Sequence, residues 1–568
     1  MKYIDSHHQK KHFFVFVFLC LLFSIITIKL FQLQIVQHQL FASIGEKNFL
    51  RFKTVPAQRG NILDCYGTPL ATNHPITNLV WTGTGNQSLT QNQKETLQKI
   101  KDILQIDISE QTIKYAEKFS KSITIAEKIS STNLCLLSEQ CSDIPNLIFE
   151  TSFERFYPYN KLACHILGYL GNNNILTQGK MGLEKLFEDT LKGEPGIQIQ
   201  HINSFGTLLT STPLKNQLTG KDIYTTIDLP LQKIAEQAMK HQSKGALILI
   251  DPKTGQIPAL VSMPNFKPTI FSQKISAEQW QNLQQNQCFI NKAFNASYPP
   301  ASIFKLITIA ASLEEGIATT DSLFDCKGYS LFKKRKYYCN KHSGHGVISL
   351  KECLAYSCNI PCYEIAQKMP IDTLASYAFE LGLGNKTDTL FTEKFGVVPT
   401  NSWKLANKGE KWWTGETLSA SIGQSFLLTT PIQIACMIGA IFEGYLVKPR
   451  ILCNQEITKT PLEHISDQTR EFLQECMKSV ITTGTGKRIN AFENLIIFAK
   501  TGTAQTVNRS KRKKNDDSHL SHAWFVSYFY THNSDPLVMV ILLENVGGSR
   551  SAANVAKTFF TEYTKIIE

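Results

Sequence analysis

Apolar residues fall along this chain in three spacings, each predicting a different kind of element. From Phe13 to Ile28 they run without a charge, and Leu30 to Leu33 extend the run past Lys29, whose flexible stem can carry its amine to an interface. A membrane-spanning helix is expected there. Helical spacing follows from about Thr90 to Glu139, then in MGLEKLFEDTLKGEPG, which ends at Gly193 and Pro195, and in the capped stretch TTIDLPLQKIAEQAMKHQ. Short β-type runs mark Phe52 to Ala71, punctuated by Arg59-Gly60 and Tyr66-Gly67 into strand, turn and strand. ALILIDPKTGQIPALV predicts two apolar strands flanking a turn; AWFVSYF and LVMVILLEN predict two more before a C-terminal helix from about Ala552. Five strands with helices on both faces is the economical arrangement of this second half. No internal repeat or extended low-complexity tract interrupts it.

At 568 residues the chain exceeds the size at which single cores stop growing, so several domains are expected. The end of the apolar run and a shift near Gln217 to Asp222 place the domains at 1–35, 36–217 and 218–568. The net charge of +12 is thinly spread; the runs Lys333 to Lys336 and Arg509 to Lys514 carry much of the local excess, and each reads as a solvated loop. Lys2, Lys10 and Lys11 precede the apolar run, and no small-residue cleavage site follows it, which favours an uncleaved anchor over a signal peptide. The basic end then faces the cytoplasm and the rest lies outside, where disulfides are permissible. Fourteen cysteines in so long a chain do not make a staple pattern, and most read as small core residues.

The candidate chemistry begins at YPPASIFKLITIAASLEEG, where Ser302 and Lys305 stand three apart at the front of an apolar helix. Pro299 and Pro300 end any preceding helix, so Ser302 is expected at a helix N-terminus, where dipole and free N–H groups favour an alkoxide or oxyanion. The apolar run draws the Lys305 amine out of water and makes it a candidate base. The spacing alone proves little, because Ser330 with Lys333 and Ser510 with Lys513 repeat it in loop-like sequence. Downstream, Ser357-Cys358-Asn359 sits on an expected turn between helices, and Lys500-Thr501-Gly502-Thr503 ends an apolar strand. Lys253-Thr254-Gly255 has the same letters but follows Asp251-Pro252 and reads as a hairpin turn. Singly, Ser302 reads as a helix cap, Ser357 as a loop hydroxyl, Asn359 as a turn residue and Lys500 as a strand-edge charge; their ordered co-occurrence reverses that.

Taken in order, these residues match the three-motif set of penicillin-binding proteins and serine β-lactamases. RGNILDCYGTPLA, RFYPYNKLACHILGYLG, MGLEKLFEDTLKGEPG, GETLSASIGQSFLLTTPIQIA, HAWFVSY and SRSAANVA resemble further segments of class B penicillin-binding proteins. YPPAS, KTGTAQ and HGVISLKECLAYSCN resemble the elongation-type penicillin-binding protein 2. Ala301 and Ser425 stand where the family usually has glycine, and Cys65 where a basic residue is common.

The resemblance implies an α+β chain: an anchor, an elongated mixed α/β pedestal, and a β-lactamase-like transpeptidase domain with a five-stranded antiparallel sheet. Arg59, Gly60 and Glu184 are then structural, joining the membrane-proximal region to the rest. It implies peptidoglycan D,D-transpeptidation with no cofactor needed for the chemistry. Ser302 is the nucleophile and Lys305 its base, while Ser357 and Lys500 relay a proton to the leaving amine. Asn359, Thr501, Gly502 and Thr503 bind substrate, and the N–H groups of Ser302 and Thr503 form the oxyanion hole. Implied partners are stem peptides, β-lactams, the membrane, a membrane glycan polymerase and elongation-complex proteins, with no nucleic acid. Competing functions are a β-lactamase, for which an anchor and long N-terminal domain are superfluous, a β-lactam sensor, which needs a cytoplasmic output domain, and a silent scaffold for a polymerase.

Cys326, Cys339, His345 and Cys358 form a Cys-x12-Cys-x5-His-x12-Cys array able to surround one structural zinc, and Cys358 lies inside the Ser-x-Asn motif. Some elongation-type relatives carry a metal at the corresponding positions. A Cys326–Cys339 disulfide and unliganded thiols are the alternatives.

Overall fold

In the computed structural model all residues are described except 1, 142–145, 174–175, 204–207, 273–274, 490–491, 506–518 and 568. The Ser510–Lys513 look-alike and the Arg509–Lys514 run lie outside the described residues. The fold divides into two compact units, both discontinuous in sequence: residues 1–59, 73–154 and 192–220 in one, and 60–72, 155–191 and 221–568 in the other.

The first unit begins with helix α1 (Lys2–Phe31), continued by a π turn over Gln32–Val36. Lys11–Val36 is long and apolar enough to cross a membrane, and its most apolar stretch is exposed among the described residues. A three-stranded antiparallel sheet of Leu50–Val55, Gly196–Ile202 and Leu208–Lys215 follows. The polar helical stretch resolves into helices at Gln91–Leu104, Glu110–Lys118 and Ser131–Gln140, with a strand, Ser122–Ala126, between the last two. That strand went unread because its short run pairs only across space, with Leu79–Thr82. Trp81 anchors this core and donates its indole N–H to the buried carboxylate of Glu117, 3.0 Å away.

The second unit holds a five-stranded antiparallel sheet made of β1 (Gly245–Ile250), β2 (Ala259–Met263) and three later strands. Between them come α2 (Lys305–Glu314), a hairpin of β3 (Tyr329–Phe332) and β4 (Arg335–Tyr338), α3 (Leu350–Tyr356), and α4 (Ile360–Lys368). The sheet is completed by β5 (Ile496–Ala504), β6 (His522–Tyr530) and β7 (Leu537–Leu543), and α5 (Arg550–Ile567) closes the chain. Strand order is β2-β1-β7-β6-β5, which leaves β5, with its Lys-Thr-Gly-Thr, at an edge. Both sheet faces are covered, so β1 and β7 are buried almost throughout, as their unbroken apolar runs require. The look-alike Lys253-Thr254-Gly255 is the β1–β2 turn: Asp251 Oδ1 accepts from the N–H groups of Lys253 and Thr254, and Gly255 has φ +76°.

Lys333 to Lys336, expected as a solvated loop, is instead the tip of the β3–β4 hairpin. Its arms are only four residues each and four consecutive cations stand between their rings, too short a pattern for periodicity to show. Near the start of the same unit, Glu184 is fully buried and accepts from Arg155 Nε at 2.7 Å, while Arg155 Nη1 donates to the Gly60 carbonyl at 2.7 Å. A buried pair of this kind needs further partners to offset its desolvation, and the Tyr157 hydroxyl supplies one at 3.3 Å.

Candidate active site

Ser302 lies on a single 3₁₀ turn, Ala301–Ile303, and Lys305 is the first residue of α2. The serine therefore precedes the α-helix instead of opening it. The interruption originates at Ala301, whose φ of +51° is left-handed and so outside helical geometry. Gly423 backs this turn: its carbonyl accepts from the Ala301 N–H at 3.0 Å, and a Cβ there would sit 2.1 Å from the Ala301 oxygen. Ser425, also left-handed at φ +71°, occupies a position that a second glycine would fill without strain.

Ser357 ends α3 in the left-handed region at φ +57°, and Asn359 caps the start of α4. This break between two helices presents carbonyls that neither helix can satisfy. Lys305, fully buried, satisfies them: its Nζ donates to Ser357 O at 2.7 Å, Cys358 O at 2.9 Å and Asn359 Oδ1 at 2.8 Å, with Ser357 Oγ at 3.4 Å. Asn359 Nδ2 in turn donates to Tyr338 O at 3.1 Å, so both ends of its amide are fixed.

Lys500 reaches the same hydroxyl from β5. Its Nζ donates to Ser357 Oγ at 3.3 Å and to Thr501 O at 2.9 Å. Burial, and then the charge of Lys305, push Lys500 down to about 7. Gly502 allows β5 to approach the nucleophile's turn: a Cβ there would lie 3.2 Å from Trp524 Cβ, 3.3 Å from Pro300 O and 3.4 Å from Ile303. Thr501 is buried with its hydroxyl 2.7 Å from that of Thr485, whereas Thr503 is exposed and accepts from the Ser549 N–H at 3.2 Å.

The structure thus brings Lys305, Ser357, Asn359 and Lys500 into one hydrogen-bonded group, with Gly502 against the Ser302 turn. Ser302 Oγ makes no hydrogen bond among the described residues. Sequence reasoning missed Thr485, although TTGTGK, with two glycines among threonines, marks a tight loop. It also missed the support behind the turn. Tyr298 donates its hydroxyl to Glu544 at 2.6 Å, Glu544 pairs with the buried Lys292 at 3.1 Å, and the Trp524 indole donates to Pro299 O at 2.9 Å. The look-alike Ser330 is a strand residue of β3, its hydroxyl 3.5 Å from Gln367 Nε2.

The donor atoms of Cys326, Cys339, His345 and Cys358 all lie within 4.8 Å of one another. Tetrahedral zinc with bonds of about 2.3 Å to sulfur and 2.0–2.1 Å to nitrogen sets ligand edges of about 3.8 Å (S–S) and 3.6 Å (S–N). His345 Nδ1 is 3.5 Å from both Cys326 Sγ and Cys339 Sγ, and Cys339 Sγ is 3.6 Å from Cys358 Sγ. One imidazole N–H cannot serve two sulfurs well, whereas one cation serves all four donors. The residues fit the ion. The contact with the Cys358 sulfur holds Cys339 below the ordinary thiol range.

Comparison with known proteins agrees with this geometry. Residues 245–561 match the penicillin binding protein transpeptidase domain and residues 54–225 the penicillin-binding protein dimerisation domain. The chain is 31% identical to the peptidoglycan D,D-transpeptidase MrdA of Acinetobacter baumannii, over 96% of this chain and 85% of that one. It is 26% identical to the Escherichia coli K12 protein of the same name, over 95% and 92%. Among solved structures it resembles a penicillin-binding protein (PBP2) in complex with MreC from Helicobacter pylori, with TM-score 0.77, 25% identity and coverage of 91% and 99%. A peptidoglycan synthase complex that coordinates polymerization and crosslinking is similar at TM-score 0.76, 28% identity and coverage of 97% and 98%. Matched over more than half its length by the transpeptidase domain, and along nearly all of it by a 31% identical relative, this chain belongs to the transpeptidase-bearing penicillin-binding proteins.

Proposed function

We propose that this protein is a membrane-anchored peptidoglycan D,D-transpeptidase that crosslinks stem peptides during wall elongation and is acylated by β-lactams. The observation that carries it is the single serine hydroxyl, Ser357 Oγ, held between two fully buried lysines beside the turn that bears Ser302.

Ser302 attacks the carbonyl between the two terminal D-alanines of a stem peptide and gives its proton to the Lys305–Ser357–Lys500 relay. The N–H groups of Ser302 and Thr503 stabilise the tetrahedral oxyanion. The relay then returns the proton to the departing D-alanine amine, and the acyl group passes to an amine of a neighbouring strand. Lys500 suits this task because a group titrating near 7 both takes and releases a proton at neutral pH. The Asn359 side-chain amide orients the substrate backbone, and the exposed Thr503 hydroxyl receives the terminal carboxylate. Thr501 acts through Thr485 to fix the edge of β5.

No cofactor enters these steps. Cys326, Cys339, His345 and Cys358 would hold one zinc as a structural crosslink, since four protein ligands leave no open position for water. Residues 218–568 carry the reaction and 36–217 form the pedestal. The basic N-terminus lies in the cytoplasm and the catalytic domain in the periplasm. The solved complexes of similar proteins, one with MreC and one a synthase that also polymerises, support elongation-complex proteins and a membrane glycan polymerase as partners.

Covalent labelling with a fluorescent penicillin tests the assignment. Ser302→Ala is expected to abolish it, while Ser330→Ala and Ser510→Ala keep it. A labelled Ser302→Ala protein overturns the nucleophile, and label that is rapidly released indicates a hydrolase.

A further inference from the structure

The β3–β4 hairpin turns through Lys333 and Lys334, with φ of +44° and +66°. A two-residue hairpin with both central residues left-handed is the turn that asparagine and glycine fill most readily, because a Cβ is strained there. Here lysines fill it. Arg335 and Lys336 follow, so four consecutive cations occupy the tip, all exposed. None is ion-paired to an acid among the described residues. The neighbours of three of them are uncharged rings: Lys333 over Phe332, Arg335 over Tyr337, and Lys336 over Tyr329 at 4.2 Å. The charge at the tip is therefore left for something else.

The hairpin is also fixed beside the active site. Tyr338 O, at its base, accepts from Asn359 Nδ2 at 3.1 Å and from the Tyr363 hydroxyl at 3.4 Å. The Tyr337 hydroxyl donates to Gly415 O at 3.2 Å. A Cβ on Gly415 would come within 2.6 Å of that hydroxyl, so the glycine makes the seat. At about 3.3 Å per residue, the two to four steps from Tyr338 to Lys336 and Lys334 put these cations about 7–13 Å along the strand from the Asn359 contact.

We propose that the Lys333–Lys336 tip is a docking site for the carboxylates of a peptidoglycan strand, holding stem peptides beyond the one that reacts at Ser302. This rests on the crosslinking function proposed above and extends it to the rest of the substrate. Charge complementarity selects the occupant: stem peptides bear free carboxylates at intervals along a strand. A β-lactam is too short to span the active site and the tip together. Tip charges thus act on strand binding and leave acylation by penicillin unchanged.

The full-length protein in detergent is tested for binding to uncrosslinked glycan strands with intact stem peptides, the same strands with amidated carboxylates, and phosphatidylglycerol vesicles. Lys333→Asn with Lys334→Gly relieves the turn while removing two charges. It is expected to raise the unfolding temperature yet weaken strand binding about tenfold, and to flatten the salt dependence of that binding. Lys333→Glu with Lys334→Glu weakens it further, and amidated strands bind wild type as poorly as intact strands bind the variants. Both variants label with fluorescent penicillin at the wild-type rate. Unchanged strand affinity in both variants, equal binding of amidated strands, or tip-dependent binding of vesicles alone overturns the inference. If wild type itself fails to label through Ser302, the crosslinking function is what has failed.

Discussion

Lys500 Nζ lies 3.3 Å and Lys305 Nζ 3.4 Å from the same Ser357 Oγ, and both amines are fully buried. Two buried cations sharing one hydroxyl make the second proton costly. Lys500, at about 7, carries that cost.

Penicillin acylation is therefore expected to rise with pH through about 7, as Lys500 loses the proton that blocks the relay. Lys500→Arg, which stays charged, should remove that rise and slow acylation about 100-fold. Second-order labelling rates between pH 5.5 and pH 9 on a rough grid of half units would show it. A flat wild-type profile would sink the role given to Lys500. Stability carries the same signature. Between about 7 and the ordinary 10.5, an unfolded lysine binds a proton that folded Lys500 has lost, so its contribution to stability rises with pH. Lys500→Met should lose that slope in denaturant titrations.

The Tyr298–Glu544–Lys292 chain supports the Ser302 turn from behind. Tyr298→Phe removes one buried hydrogen bond and is expected to cost about 1–2 kcal/mol. Glu544→Gln leaves Lys292, buried, without its anion, and should cost about 3 kcal/mol or more. Urea unfolding midpoints give the order; equal losses in the two variants would show that the ion pair contributes nothing beyond the tyrosine bond.

At Ala301 the backbone is left-handed and the side chain is a methyl. Ala301→Gly should stabilise the protein by about 1 kcal/mol, because relief of a strained φ exceeds the added entropy of the unfolded glycine. Gly423→Ala acts oppositely, since its new methyl would meet the Ala301 oxygen at 2.1 Å. Thermal unfolding of the two variants decides this, and a destabilised Ala301→Gly protein would mean that the turn is held elsewhere.

Purified protein is expected to hold about one zinc per chain, bound by the four-donor cluster. Cys339→Ala should abolish it and lower the unfolding temperature, with the metal measured directly and not through activity. Absence of zinc, together with two fewer titratable thiols than the sequence contains, would assign Cys326 and Cys339 to a disulfide instead.

Much of this site was legible in the chain. The motif order, the proline-marked start before Ser302, the helix break at Ser357 and the apolar strand around Lys500 all depend on local spacing, and local spacing is what a sequence displays. Both Lys-Thr-Gly copies were told apart because Asp251-Pro252 is turn chemistry that needs no tertiary partner. The basic hairpin reads as a loop for the converse reason: four consecutive cations interrupt its short aromatic arms, and its anchoring to Asn359, Tyr363 and Gly415 comes from residues distant in the sequence.

By itself, then, the sequence determined most of the elements, the apolar N-terminal run and the ordered serine and lysine motifs, because capping, periodicity and turn preferences act over a few residues. Only the tertiary structure decided which lysine titrates near neutrality, which threonine is exposed, and how the basic hairpin is anchored to Asn359. Those depend on burial and on charges a few ångströms apart in space but far apart along the chain. Desolvation and Coulomb interaction are set by that separation alone.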